Sequence, residues 1–170
     1  PNVTIRPHIG LLGTTIFGEE KETYAHTFKK FMAEMVVVYA GRVAEELAYG
    51  PENVSSGASG DIEFATETAW RMVAQFGFNE NLGKLLYGNG DSSYLGQTFS
   101  QNHGLDAGTA KRIYDEMIQL TDKAYEEARR ILTEDYEALL NLAQALVEKE
   151  TLDRDDVIAY TGIQPAKRKQ

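Results

Sequence analysis

The 170-residue sequence contains no cysteine, which excludes disulfide bonds, a thiolate nucleophile and a cysteine-ligated zinc site. It also lacks a long apolar run. The longest, residues 35–40, is far shorter than the ~20 apolar residues that a membrane-spanning helix needs. Residues 1–3 do not resemble the start of a signal peptide. We therefore expect a globular segment that begins inside a longer chain.

Basic residues are scarce as well. The sequence has 17 Lys and Arg residues against 26 Asp and Glu residues, which gives a formal net charge of -9. The single basic cluster, residues 167–169, lies in the C-terminal segment 164–170, where we expect a disordered tail. A nucleic-acid-binding protein needs a basic stripe that displaces counterions from phosphates, so we expect no nucleic-acid partner.

The sequence contains no complete active site of a familiar kind. Its three histidines, His8, His26 and His103, are widely separated, and no H-E-x-x-H motif is present. No serine has the flanking glycines of a nucleophile elbow, and no glycine-rich loop ends in Gly-Lys-Ser or Gly-Lys-Thr. From the residues alone, each histidine is best interpreted as an ordinary surface or loop residue.

The N-terminal segment has the pattern of a β-hairpin. Residues 3–6 alternate between apolar and polar side chains and are followed by Pro7, which is typical of a short strand. Residues 10–13 predict a turn, and residues 12–17 predict a second strand rich in β-branched side chains. We expect this hairpin to form the edge of a small sheet whose other strands are missing from this chain.

The rest of the sequence is dominated by apolar residues at helical spacing. The predicted helices are one capped by Thr27 and ended by Gly50, one from about residue 59 to 76 ended by Gly77, a long one started by Asp106 or Thr109, one capped by Thr133, and a short one capped by residues 151–153. Residues 78–103 are expected to be irregular. Gly41 lies inside the first helix, where a glycine usually lets another backbone approach closely.

The predicted fold class is therefore mainly α, with a short N-terminal β-hairpin followed by an antiparallel helical bundle. We expect residues 1–103 to form a first part with two strands, two helices and an irregular segment, and residues 104–163 to form a C-terminal helical subdomain.

Asp61 is the polar residue that stands out. It follows a run of small residues, 55–60, at a predicted helix start. An acid in the first turn stabilises a helix through the helix dipole, and this is the more common role. The alternative is that Asp61 is a metal ligand, with small neighbours that leave room for an ion and a substrate.

Three charged residues of the first predicted helix could be mistaken for two catalytic acids and a basic residue that holds a substrate: Arg42, Glu45 and Glu46. Their spacing, however, is typical of ion pairs within a helix. Adjacent helix residues point in different directions, which argues against a paired-carboxylate hydrolase. We expect a structural role for all three.

Several segments carry a resemblance to one family, in its order and at its spacing. They are A-G-R-V-A-E-E-L-A-Y-G at residues 40–50, S-G-A-S-G-D-I at 56–62, A-T at 65–66, R-M-V at 71–73, G-F at 77–78, L-G at 82–83, Y-L-G at 94–96, I-L-T-E at 131–134 and E-K-E-T-L at 148–152. Together they resemble the peptidase domain of FtsH-type proteases, which are ATP-dependent, membrane-anchored zinc metalloproteases. The resemblance extends over residues 3–157, and it implies that residues 1–103 are part of a zinc peptidase core.

The resemblance implies a site that is incomplete in this chain. The resemblance implies that Asp61 is the third zinc ligand. It also implies that two histidine ligands and the general-base glutamate lie on an H-E-x-x-H helix, which this sequence does not contain. We therefore expect no catalytic residue in this chain and no activity from the chain alone. Residues Val3, Thr4, Ile5, Thr14 and Thr15 are the implied substrate-binding candidates, because an extended substrate can pair with a strand by β-augmentation.

The resemblance also implies a larger assembly. The parent would be a homo-hexamer or hetero-hexamer that unfolds and degrades membrane and misfolded proteins, with ATP and Mg bound in an AAA+ module and with an N-terminal membrane anchor. A bacterial parent would lie in the inner membrane with its peptidase domain on the cytoplasmic side. A eukaryotic one would lie in an organellar inner membrane or a thylakoid.

Two other interpretations remain open. One is a catalytically dead, protease-like assembly module, since Gly60 stands where the family has asparagine and Ala40 where it has the first glycine of a pair. The other is an acidic helical interaction domain whose motifs reflect packing alone.

Overall fold

The computed structural model of the chain describes residues 2–7, 14–16, 26–87 and 105–164. Within these ranges the elements are strands β1 (Asn2–Thr4), β2 (Thr14–Ile16) and β3 (Thr151–Asp153), and helices α1 (Phe28–Tyr49), α2 (Ser59–Trp70), α3 (Ala107–Glu134), α4 (Tyr136–Lys149) and α5 (Arg154–Thr161). The mainly α fold class with a small N-terminal sheet is confirmed.

The described residues form two compact units. The first unit contains the described residues of Pro1–Tyr24 and Leu132–Gln170. The second unit contains the described residues of Ala25–Ile131. The predicted boundary between a peptidase core and a C-terminal helical subdomain at residue 103 lies outside the described ranges, and it stays a prediction.

The first unit contains a three-stranded antiparallel sheet in the order β2-β1-β3. Val3 lies opposite Thr15 on one side and opposite Leu152 on the other. The antiparallel pairing of the two predicted N-terminal strands is confirmed, whereas the predicted turn at residues 10–13 lies outside the described residues. β3 was not predicted, because a three-residue segment that ends in the cap residue of α5, Asp153, carries no strand signal of its own.

Helix α5 begins as predicted. The Asp153 carboxylate accepts from the Asp156 amide at 2.9 Å, and the Asp156 carboxylate accepts from the Asp153 amide at 3.3 Å, which forms a reciprocal capping box. Glu150 ends α4 in the left-handed region at φ 60, the only non-glycine residue with positive φ in the described chain.

Helix α1 in the second unit confirms its predicted ends. The Thr27 hydroxyl accepts from the Lys30 amide at 3.3 Å, and Gly50 terminates the helix at φ 84. Its buried stripe is Phe31, Met35, Tyr39 and Val43. The expectation that Gly41 admits a neighbouring backbone is wrong within the described chain, since a Cβ built there meets no atom within 4 Å.

The predicted second helix is present, but its hydrogen-bonding pattern changes along its length. It is regular as α2 and then widens into a π-helical turn, Arg71–Gln75, before Gly77 ends it at φ 67. The predicted stripe is fully buried at Ala65, Ala69, Met72 and Val73, whereas Ile62 and Phe76 are exposed. The π turn adds a residue to one turn and so displaces the later side chains from a strict helical stripe.

Helix α3 is capped by Asp106, whose carboxylate accepts from the amides of Gly108 at 2.9 Å and Thr109 at 3.0 Å. The predicted face is buried from Ile113 to Ala128. The predicted cap at Thr133 is wrong, because α3 continues to Glu134 and Asp135 takes the cap position of α4 without a side-chain hydrogen bond.

A candidate metal-ligand site at the start of α2

Asp61 is the third residue of α2 and lies in its first turn. The residue is partly buried and precedes the fully buried Ala65 by one helical turn, which places it at the border of the packed face. Among the residues that the structure describes, none shares a hydrogen bond or an ion pair with its carboxylate. The side chain is therefore held by its helix and leaves its oxygens available.

The segment that leads into α2 is tied to α1 by what we call the Ser55 clamp, formed by Arg42, Glu45 and Ser55. The Ser55 amide donates to Glu45 Oε2 at 2.9 Å, and the Ser55 hydroxyl donates to Glu45 Oε1 at 2.8 Å. The Ser55 carbonyl accepts from Arg42 Nη1 at 2.9 Å. Both backbone polar groups of Ser55 and its hydroxyl are thus bound by side chains one turn apart on α1.

The clamp is continuous with the start of α2. The Ser55 oxygen Oγ also accepts from the Gly57 amide at 3.1 Å, at the entrance to a short 3-10 turn, Ser56–Ala58. Ala58 is buried, and α2 begins at the next residue. The position of the first turn of α2 is therefore fixed at one end by the clamp and at the other by the buried face of the helix.

Glu45 acts as a fixed acceptor in this arrangement. Hydrogen bonds from the Ser55 amide and hydroxyl, and then the charge of Arg42, lower the pKa of the Glu45 carboxyl below its ordinary value. A carboxylate with a lowered pKa and both oxygens engaged is poorly suited to act as a general acid.

Glu46 points to different partners. It accepts from the Tyr125 hydroxyl and pairs with the Arg129 guanidinium, and Arg42 Nε lies 3.5 Å from its Oε1. These contacts, the Tyr125 hydrogen bond foremost, lower the pKa of Glu46. The two carboxylates diverge as predicted, and the structural role expected for Arg42, Glu45 and Glu46 stays a prediction that these contacts support.

Ser55, Tyr125 and Arg129 were not predicted from the sequence as partners of α1. Tyr125 and Arg129 lie one turn apart on α3. They contact α1 only because the two helices pack together, and the Tyr39 and Tyr125 ring centroids are 5.3 Å apart. No local pattern identifies such partners.

Asp61 is suitable as one ligand of a zinc ion, but the described residues do not form a complete zinc site. Zinc takes carboxylate oxygens readily, and a catalytic zinc usually has three protein ligands. Within the described ranges, no group of three or more His, Asp or Glu side chains is placed to hold a metal ion. His26 contacts Phe31, with ring centroids 5.5 Å apart, and its Nδ1 lies 3.8 Å from a Glu34 oxygen. His8 and His103 lie outside the described residues.

The substrate-binding candidates belong to the first unit. β1 lies between β2 and β3, so among the described strands β2 and β3 form the two edges of the sheet. The Thr4 hydroxyl is already bonded to the Glu150 carbonyl and to Thr151, and the Ile5 amide donates to the Glu150 carbonyl. Thr14 and Thr15 are exposed on β2. A role in substrate binding stays a prediction for Val3, Thr4, Ile5, Thr14 and Thr15.

Comparison with known proteins gives a consistent result. The model of peptidase family M41 matches residues 1–159. Proteins named ATP-dependent zinc metalloprotease FtsH match over most of the chain. The one from Photobacterium profundum is 39% identical over 92% of this chain, the one from Caulobacter vibrioides 35% over 98%, and the one from Haemophilus influenzae 36% over 96%.

The chain spans only about a quarter of the length of these relatives, namely 23%, 27% and 26% of the three proteins. No helix in the described part of the chain is both long and apolar enough to cross a bilayer.

Proposed function

The chain belongs to peptidase family M41, a zinc metalloprotease family, and from this premise we propose that it supplies the Asp61 ligand of the zinc site in an ATP-dependent metalloendopeptidase of the FtsH type. The observation that carries the proposal is the partly buried Asp61 carboxylate, which has no partner among the described residues and lies on a helix start tied down by the Ser55 clamp. A ligand needs free oxygens and a rigid support, and both are present here.

The remaining parts of the zinc site lie outside this chain in the proposal. Two histidine ligands and a general-base glutamate complete the site. A zinc ion bound there would supply a water nucleophile at neutral pH. Asp61 would contribute a negatively charged oxygen ligand to that ion. The chain alone is inactive in this proposal, because one carboxylate cannot hold zinc tightly.

The proposed setting is a quality-control protease. ATP and Mg bind in an AAA+ module of the parent, the subunits assemble as a homo-hexamer or hetero-hexamer, and a membrane anchor outside this chain holds the assembly at a bacterial inner membrane or at an organellar inner membrane or thylakoid. The proposed substrates are membrane and misfolded proteins; the name that the relatives carry, ATP-dependent zinc metalloprotease, supports protein cleavage in general.

An extended substrate is proposed to pair with the sheet through its N-terminal strands. Because β1 is flanked on both sides, the exposed residues Thr14 and Thr15 of β2 are the better candidates for backbone pairing. A parent carrying Thr14→Pro and Thr15→Pro that still degrades casein at the original rate would contradict this role.

The substitution Asp61→Asn in the full-length parent tests the zinc assignment. Asparagine keeps the shape of the side chain but removes the charge that favours zinc, so we expect zinc content and casein hydrolysis to fall together, each by roughly 10-fold or more. The measurements are metal analysis of the purified protein and the rate of casein degradation with ATP present.

Asp155→Asn is the matched control, because Asp155 is an exposed acid in the first turn of α5. It should leave zinc content and hydrolysis unchanged. Survival of both properties in the Asp61→Asn protein would remove Asp61 from the zinc site. A folded original parent with neither zinc nor hydrolysis would favour the alternative of a catalytically dead assembly module.

A further inference from the structure

We infer that Ser55 is a positioning residue for the metal ligand Asp61, and that Arg42 holds Ser55 in the required place. The inference rests on the proposed function, since it takes Asp61 as a zinc ligand. It concerns residues that touch neither the ion nor the substrate and that act through the backbone between Ser55 and Asp61.

Ser55 forms an unusual number of hydrogen bonds for a residue on an exposed loop. The Ser55 amide, hydroxyl and carbonyl are all bound by α1 side chains, at 2.9, 2.8 and 2.9 Å. A serine on a loop can meet its hydrogen-bonding needs with water, so an exposed loop does not require such bonds for its own stability. Three bonds from one rigid helix fix both the position and the orientation of the peptide groups on either side of Ser55.

The path along the backbone from Ser55 to Asp61 is short. The Ser55 hydroxyl also accepts from the Gly57 amide at 3.1 Å and so closes the turn that enters Ser56–Ala58. A side-chain Cβ at Gly57 would lie 3.1 Å from that oxygen, which shows how closely the turn wraps around it. Ala58 is buried and precedes α2 directly. A shift of Ser55 is therefore passed on to the first turn of α2, where Asp61 lies.

Arg42 joins the Ser55 clamp to the packed part of the second unit. Its Nη1 donates to the Ser55 carbonyl, and its Nε lies 3.5 Å from Glu46, the carboxylate that also binds Tyr125 and Arg129 on α3. A guanidinium can serve both contacts at once because its N–H groups point in fixed, different directions, whereas a lysine ammonium is a single point charge. Arg42 thus transfers the rigidity of the α1 and α3 packing to Ser55.

The test uses the full-length parent with Ser55→Ala, Ser55→Thr and Arg42→Lys, and with Ser56→Ala as the matched control. Ser56 is the neighbouring exposed serine, and its hydroxyl makes no hydrogen bond with the described residues. Zinc affinity is measured by competition with a chelator, and the thermal midpoint of each protein is measured alongside. Loss of groups that orient metal ligands typically lowers metal affinity 10-fold to 100-fold. We expect about a 10-fold loss for Ser55→Ala and for Arg42→Lys.

The expected pattern separates positioning from simple stabilisation. Ser55→Thr keeps the hydroxyl and should restore the zinc affinity, Ser56→Ala should leave it unchanged, and the affinity loss should occur at thermal midpoints close to that of the original protein. If Asp61→Asn loses zinc while Ser55→Ala and Arg42→Lys keep the original affinity, the positioning role is wrong and the proposed function stands. If Asp61→Asn keeps its zinc, the proposed function fails and this inference fails with it.

Discussion

At the scale of single residues, Glu45 and Glu46 show how adjacent identical side chains acquire different tasks. Successive helix residues are rotated by about 100° around the axis, so the two carboxylates leave α1 in different directions. Glu45 meets the Ser55 amide and hydroxyl, and Glu46 meets Tyr125 and Arg129. Both have a lowered pKa, for different reasons: hydrogen bonds from Ser55 in one case and from Tyr125 in the other.

Replacing Glu46 by glutamine should lower the free energy of unfolding of the chain by about 1 kcal/mol near pH 7, because hydrogen bonds to a charged group are worth more than those to a neutral amide. The pKa of Glu46 in the folded state lies below its ordinary value of 4.5. Its stabilising contribution is therefore present above the unfolded pKa and is lost as the pH falls through the folded pKa. The difference between the original chain and Glu46→Gln should shrink below about pH 4.5 in urea unfolding.

The exposed pair between Glu127 and Arg130 on α3 provides the comparison. Glu127→Gln should change the unfolding free energy much less, since exposed ion pairs contribute little. Equal losses for Glu46→Gln and Glu127→Gln, or a Glu46→Gln difference that does not vary with pH, would contradict the role assigned to the Glu46 contacts.

At the scale of elements, the local signals at the ends of α1 are strong enough to define it. The Thr27 cap and the Gly50 terminator lie where the sequence indicates them, and the buried residues of α1 follow at helical spacing. Gly41 is the exception, because it weakens the helix and no described atom approaches it. Nothing in the described chain explains a glycine at this position.

The substitution Gly41→Ala should therefore raise the free energy of unfolding of the chain by ~1 kcal/mol, because alanine loses less conformational freedom in a helix. In urea unfolding the midpoint should rise while the slope stays the same. Gly77→Ala is the contrasting variant, since Gly77 has φ 67 and a Cβ there would lie 3.4 Å from the Lys84 side chain.

Gly77→Ala should lower the free energy of unfolding by roughly 1–2 kcal/mol, the cost of a left-handed backbone for an L-residue. A destabilised Gly41→Ala chain would show that a close approach to α1 exists after all.

At the scale of the whole molecule, the central question is whether the chain completes a metal site by itself. Its described part holds one suitable carboxylate, Asp61, and no group of three possible ligands. A ligand at concentration L that binds only the folded state stabilises it by RT ln(1 + L/Kd), so the thermal midpoint rises noticeably only when the ligand concentration exceeds Kd. Zinc at micromolar concentration should therefore leave the thermal midpoint of the isolated 170-residue chain unchanged, and the chain should not cleave casein.

Calorimetric titration of zinc into the chain and into its Asp61→Asn variant checks this expectation, and the two heats should be indistinguishable. Stoichiometric, tight binding that disappears in the Asp61→Asn chain would show that the residues of this chain complete the site among themselves. The proposed need for ligands from outside the chain would then be wrong.

The sequence by itself determined the helical elements and most of their ends, because caps such as Thr27, Asp106 and Asp153 bond to amides two or three residues away. It also determined the family, through motifs spread along the chain. The assignment of Asp61 to zinc follows from that resemblance and stays a proposal.

Only the tertiary structure decided the contacts between distant residues. β3 exists because Leu152 lies opposite Val3, Arg129 reaches Glu46 from 83 residues away, and Arg42 and Glu45 bind Ser55 across the turn that follows α1. The physical reason is that a hydrogen bond within one helical turn depends on neighbouring residues alone. A bond between elements depends on which faces the packing of the chain brings together.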